Sequence, residues 1–144
     1  MARALVENQV EINRPPSVVI DYASDHMHER EWNPAMRSVR KLGDGPVGLG
    51  TRYEMEFVPG KPMLATCDRF DPPRSWGVSG KALGMDVSLG GEVTPTAAGS
   101  HLVFRTEFRG SGIRNLVLPM IRRRWAPVMQ RNVERIKSIL EGRH

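Results

Sequence analysis

One helical stripe constrains everything else this chain can do. From Leu118 onward, apolar residues recur at steps of three and four: Leu118, Ile121, Trp125, Val128/Met129, Asn132, Ile136 and Ile139/Leu140. That spacing is one face of an α-helix. Helical period starts near Ile113, and Arg123, Arg124, Arg131 and Arg135 fall off the apolar face. The rest of the chain alternates with the two-residue period of half-buried strands. A sheet with one apolar face needs a cover, and only the last helix is long enough to provide it.

The strands are read as follows. Residues 6–12 place Val6, Asn8, Val10 and Ile12 on one side, with Glu7, Gln9 and Glu11 on the other. Asn13-Arg14-Pro15-Pro16 ends this strand, and proline suits a first helical turn. Ser17 to Ala23 is then expected to be a short helix with Val18, Val19 and Tyr22 as its apolar side. A second short helical piece runs through Trp32 and breaks at Asn33-Pro34. Further strands are expected over 35–42, 51–58, 62–70, 75–80, 83–94 and 100–109. Short turns between successive strands favour antiparallel pairing. The expectation is a single α+β domain over residues 1–144: strand, two short helices, six more strands, then one long helix.

Composition narrows the class. Cys67 is the only cysteine, which rules out an intramolecular disulfide and a multi-cysteine zinc site. Met1 to Glu11 has no apolar signal core, and no run approaches the ~18 apolar residues of a membrane span. A cytoplasmic protein is expected. The net charge of +5 is uneven: residues 110–144 carry +6 and residues 1–109 carry −1. With aromatics at 6% and no recognised motif, nucleic acid is not the expected partner. Most of the excess is read as the wet side of the last helix. The exception is Leu116-Val117-Leu118-Pro119-Met120-Ile121 followed by Arg122, Arg123 and Arg124. That pairing suits docking at an anionic membrane surface or on an acidic protein.

Five segments, in order, carry a resemblance: VEINRPPSVVIDYASD, EWNP, LGDGPVGLGTRYEMEF, DRFDPPRSW and RRRWAPVMQRNVERIKSILEG. Together they resemble the START-like (SRPBCC) superfamily, and within it the bacterial polyketide cyclase/dehydrase-like branch. The resemblance implies a helix-grip fold, a curved seven-stranded antiparallel sheet around a long C-terminal helix. It also implies a deep cavity between sheet and helix for a polyketide-, lipid- or sterol-like molecule. No catalytic motif of the family carries over residue by residue, and no cofactor or metal is implied. Fold does not supply function. A carrier of a hydrophobic ligand and an aromatase/cyclase working by positioning are therefore both kept.

The candidate site follows from these placements. Tyr53, Met55 and Phe57 share one strand face, and Phe104 lies on the matching face of the last strand, as core or as pocket wall. Trp76, Trp125 and Met129 are expected to line the pocket. Two amides interrupt apolar faces: Asn8 is a polar anchor for a ligand or a partner of neighbouring strands. Asn132 orients a ligand or bonds the short helices or a buried water. Trp32 is placed at the sheet mouth, and Gly48 in the loop bordering it. Gly43 to Gly50 lacks the Lys-Ser/Thr of a phosphate loop. Pro127 either kinks the long helix toward the sheet and shapes the mouth, or the helix starts only after it. Cys67 reads as a small buried apolar residue and Asp86 as a solvent residue. His26 and His28, two apart, do not share a helix face and are expected in an exposed loop. His101 is expected to be wet, and His144 is terminal.

Overall fold

The computed structural model describes residues 2–142 apart from 59 and 111, without the side chains of residues 2 and 114. Arg143 and His144 lie outside the described residues. The first strand, β1, spans Ala2–Ile12. Two short helices follow, α1 (Pro16–Ala23) and α2 (Glu29–Trp32), joined through a 3-10 turn at His26–His28. Six strands come next: β2 (Met36–Leu42), β3 (Arg52–Phe57), β4 (Met63–Asp71), β5 (Ser75–Ala82), β6 (Met85–Pro95) and β7 (Ser100–Gly110). A second 3-10 turn, Gly112–Leu116, leads into α3 (Leu118–Leu140). The seven strands form one antiparallel sheet in the order β1-β7-β6-β5-β4-β3-β2.

The expected order of elements is the observed one, and the boundaries move for local reasons. β1 begins at Ala2 rather than Val6, because its pairing with β7 continues to Ala2↔Gly110. β6 begins at Met85 rather than residue 83. Leu83 (φ 55°) and Gly84 (φ 74°) instead form a two-residue hairpin turn between the paired Ala82 and Met85. In α1 the buried face is Val19, Ile20 and Ala23, while Val18 is exposed. Ile113 lies in the 3-10 turn, so α-helix starts at Leu118 with Pro119 in the first turn. The helix is continuous past Pro127, which overturns a start after that residue. Pro127 leaves the Arg123 carbonyl without its usual donor.

α3 packs along β1 and reaches β7 and α2. It also closes the sheet's open edge. Gln130 Nε2 donates to the Gln9 carbonyl (3.4 Å) and Lys137 Nζ to the Glu11 carbonyl (2.7 Å); Glu141 Oε2 accepts from the Asn13 N–H (2.7 Å). Unpaired groups on an edge strand otherwise invite pairing with another chain. The opposite edge, β2, carries exposed Arg37 and Arg40 beside Glu56 and Glu54.

Where β5 and β6 cross the sheet, glycine makes room for a tryptophan. A Cβ on Gly91 would stand 2.9 Å from the Trp76 ring and 2.7 Å from the Val103 carbonyl oxygen. On Gly90 it would stand 2.2 Å from the Trp76 carbonyl oxygen. Replacing Gly91 with alanine is therefore expected to destabilise the fold by about 1–3 kcal/mol through overpacking. Urea denaturation followed by tryptophan fluorescence measures this, and an unchanged midpoint would refute the close-packing account.

Candidate functional site

The concave face of the sheet, α1, α2 and the inner face of α3 enclose one apolar cluster. Trp32, Tyr53, Met55, Trp76, Phe104 and Met129 are among its fully buried side chains. Phe104 stands edge-on between Trp32 (centroids 5.5 Å apart) and Trp76 (5.6 Å). Trp32, Phe104 and Trp76 thus fill part of the space implied as a deep cavity. The reason is the size of the rings that β3, β5, β7 and α2 turn inward. Concavities of about 410 and 460 Å³ lie on the other face of the sheet, the first over Gly77 and Gly90 with Arg69, Ser79, Ser88 and Arg105 around it.

A chain of hydrogen bonds crosses the buried cluster, and the sequence reading did not foresee it. Trp76 Nε1 donates to His26 Nε2 (3.2 Å), His26 Nδ1 meets Glu29 Oε1 (2.8 Å), and Asn33 Nδ2 donates to Glu29 Oε2 (2.8 Å). Asn33 Oδ1 then accepts from the Ala35 N–H at 3.1 Å. His26, Glu29, Asn33 and Trp76 are all buried. An indole N–H only donates, so Nε2 accepts and the proton of the neutral imidazole sits on Nδ1, aimed at Glu29. The placement of His26 in an exposed loop is therefore wrong. The 3-10 turn directs His26 inward and leaves His28 half-buried, stacked on Tyr22 at 4.7 Å. A period-based reading has no purchase on a three-residue turn.

Five buried side-chain polar atoms have no partner among the described residues: Tyr53 Oη, Trp32 Nε1, Trp125 Nε1 and Asn8 Oδ1 between sheet and helices, and Asn115 Oδ1 in the 3-10 turn before α3. Tyr53 packs edge-on against His26 (5.6 Å). Burial pushes the Tyr53 hydroxyl up to about 12, with the charge of Asp25 acting the same way. The nearby His26 backbone acts in the opposite sense without making a hydrogen bond of normal geometry. Tyr53 therefore stays a protonated donor at neutral pH. Asn8 uses its Nδ2 twice, toward the Ala126 carbonyl and Gln130 Oε1, both at 3.1 Å. This ties β1 to the helical turn that holds Trp125 and Pro127.

The other candidates fall into place around this cluster. Asn132 is fully buried, but its Oδ1 accepts from Arg135 (2.8 Å) and its Nδ2 points at the Met129 sulfur (3.4 Å). Neither a ligand nor the short helices is needed to satisfy those two contacts. Phe57 and Trp125 are half-buried against the cluster. Trp32 is 1% exposed and belongs to the interior, not the mouth, because its ring fills the space beside Phe104. Gly48 is half-buried beside the Phe70 ring, and its N–H donates to Thr51 Oγ1 (2.9 Å). Pro127 and Arg122 to Arg124 are exposed. Asp86 is exposed beside Lys81. His101 is half-buried, 2.7 Å from Glu11. Cys67 is buried, its thiol pushed up by desolvation and directed at the Arg69 carbonyl.

Sheet, long helix and enclosed apolar cluster together define a START-like (SRPBCC) protein with the helix-grip fold. Residues 3–141 match the family model described as polyketide cyclase / dehydrase and lipid transport, and the chain belongs to that family. Solved structures agree on the fold. The di-domain ARO/CYC protein StfQ of the steffimycin biosynthetic pathway matches with a TM-score of 0.76 at 14% identity over 98% of this chain. This chain spans 51% of that protein's length. Norcoclaurine synthase from Thalictrum flavum, in complex with a transition state analogue, matches with a TM-score of 0.71 at 18% identity, covering 98% of this chain and 96% of the enzyme. Ara h 8.0201 gives 0.69 at 15% identity, covering 98% of this chain and 99% of its own. No curated protein matches in sequence.

Removing the carboxylate in Glu29→Ala leaves the His26 and Asn33 donors unpaired and is expected to cost at least about 2 kcal/mol in urea denaturation. A stable variant would mean that the chain contributes nothing to folding. Both tyrosines of the sequence, Tyr22 and Tyr53, are shifted upward, mainly by burial. Such a shift lowers stability as pH rises above 10.0, where the unfolded chain ionises, until the folded Tyr53 ionises near 12. Spectrophotometric titration should show no tyrosinate step near pH 10 while the protein is folded.

Proposed function

We propose that this chain binds a hydrophobic small molecule bearing hydrogen-bond acceptors between the sheet and α3, and carries it without turnover. The observation that supports this reading is the set of unpaired atoms in the apolar interior: three donors, on Tyr53, Trp32 and Trp125, and one acceptor on Asn8. A buried polar group without a partner costs about 1–3 kcal/mol. A polyketide-, lipid- or sterol-like molecule with carbonyl or hydroxyl oxygens supplies what those donors lack. Entry needs side chains to move, and Met55, Met63 and Met129 line the cluster with unbranched chains that repack readily. The loop holding Gly48 is the proposed mouth.

The same interior speaks against turnover. Both nitrogens of His26 are engaged, as are both carboxylate oxygens of Glu29. Tyr53 holds its proton and the Cys67 thiol is pushed up. The hydrogen bonds of His26 and Glu29 are turned to one another and to Trp76 and Asn33 rather than toward a ligand. The di-domain ARO/CYC protein StfQ and norcoclaurine synthase have this architecture; in this chain the engaged groups favour carriage. The lone buried thiol suits the reducing cytoplasm.

Tyr53→Phe tests the reading directly. Removing an unpaired hydroxyl should leave the ligand-free protein as stable as before, or more stable by about 1 kcal/mol. It should also weaken binding about tenfold. Native mass spectrometry of the protein from its source identifies the ligand, and titration with that ligand gives the affinities. A destabilised ligand-free variant with unchanged affinity would show that the hydroxyl serves the fold instead.

A further inference from the structure

We infer that the segment from Gly112 to Arg124 docks the protein on an anionic lipid bilayer. This surface is separate from the interior site and does not depend on it. Four large apolar side chains stand in solvent over consecutive turns: Ile113 (78% exposed), Leu116 (77%), Val117 and Met120. On the next turn come Arg122, Arg123 and Arg124, all exposed and without an ion pair among the described residues. Elsewhere, Arg3, Arg37, Arg40, Arg74, Arg105 and Arg109 each face a carboxylate within 4.0 Å. Arg14, Arg30, Arg52, Arg69, Arg131 and Arg135 also lack one, but they are dispersed over the loop after β1, α2, β3, β4 and the later turns of α3. Between residues 108 and 133 the sequence has six arginines and no acidic residue.

The order of these groups selects the occupant. Side chains more than three-quarters exposed protrude, and a protein partner would need a pocket shaped for each. A bilayer accepts protruding apolar groups of any shape. Arginines one turn behind them are placed at headgroup level, where each adds attraction to anionic lipid. The segment is also held in place. Leu118 is buried against Ala4 and Met85, with Phe108 and Ile121 beside it, in a cluster of its own apart from the main core. The apolar tip and the arginines thus present themselves together from a fixed base.

The test is co-sedimentation of the full chain with phosphatidylcholine vesicles, with and without phosphatidylglycerol. Binding is expected only with the anionic lipid, decreasing as salt is raised. Changing Arg122, Arg123 and Arg124 together to Gln should lower the partition coefficient about 100-fold. Changing Ile113 and Leu116 to Ser should lower it at least about tenfold. Both variants alter exposed side chains, so their melting temperatures should match wild type, and circular dichroism checks that they fold. Equal binding to neutral vesicles, or wild-type binding by the arginine variant, overturns the inference. Loss only in the arginine variant also overturns it, since that result describes adsorption by charge without insertion. So does binding to soluble polyglutamate but not to vesicles, which would assign the surface to an acidic protein.

Discussion

A carboxylate buried without a cation organises much of this protein. Taking Glu29 out of water costs several kcal/mol unless its oxygens are occupied, and two neutral donors, His26 Nδ1–H and the Asn33 amide, occupy them. Both donors lie in the connection between α1 and β2, on either side of Glu29. Asn33 passes the constraint on through its Oδ1 to Ala35, which fixes the entry to β2. His26 passes it to Trp76 on β5. The connection between α1 and β2 is thereby fastened to the middle of the sheet, although it contains only a 3-10 turn and a four-residue helix. Trp76 can take part only because Gly91 leaves room for its ring.

The parts of the fold that were legible in sequence are those with a period. Alternation places Tyr53, Met55 and Phe57 inward, with Phe104 on the matching face of β7, and most of them are buried. The stripe of α3 does the same for Met129, Asn132 and Ile136. What was not legible depends on geometry that no period encodes. His26 and His28 differ only in the direction a 3-10 turn gives each ring. Trp32 sits in a short helical piece where periodicity sets no direction, and its ring is drawn inward beside Phe104. Asn132 was recognised as a polar interruption, but its partner Arg135 lies three residues on along the same helix. An off-stripe arginine gives no hint that it reaches back. The candidate site was legible as a list of inward residues, and the hydrogen bonds that decide their chemistry were not.

α3 shows why its charges cannot all be read as a wet face. Gln130, Lys137 and Glu141 flank the apolar stripe and reach the carbonyls and amide along the free edge of β1. They complete a sheet that would otherwise end in open hydrogen-bonding groups. Asn8 works in the other direction, reaching from β1 into the helix at Ala126, one residue before Pro127. A proline inside a helix removes a bond on its own turn, and here the sheet supplies an added contact at the neighbouring residue. The helix is held on both sides of its weakest turn by polar contacts to one strand.

The unpaired atoms of the interior follow a different logic from the satisfied chain beside them. Native interiors leave few buried polar groups without partners, and net stability is only about 5–15 kcal/mol. Four unpaired groups at about 1–3 kcal/mol each would take a large share of that, which is the ground for proposing an occupant. A buried water needs two to four polar partners close together. Trp32 stands beside Phe104, and Tyr53 lies edge-on to His26 with the charge of Asp25 nearby. An apolar molecule with a few oxygens bonds these groups while its body meets the aromatic and methionine side chains, which water cannot match. On the proposed binding role, a ligand would present acceptors to Tyr53, Trp32 and Trp125 and a donor to Asn8.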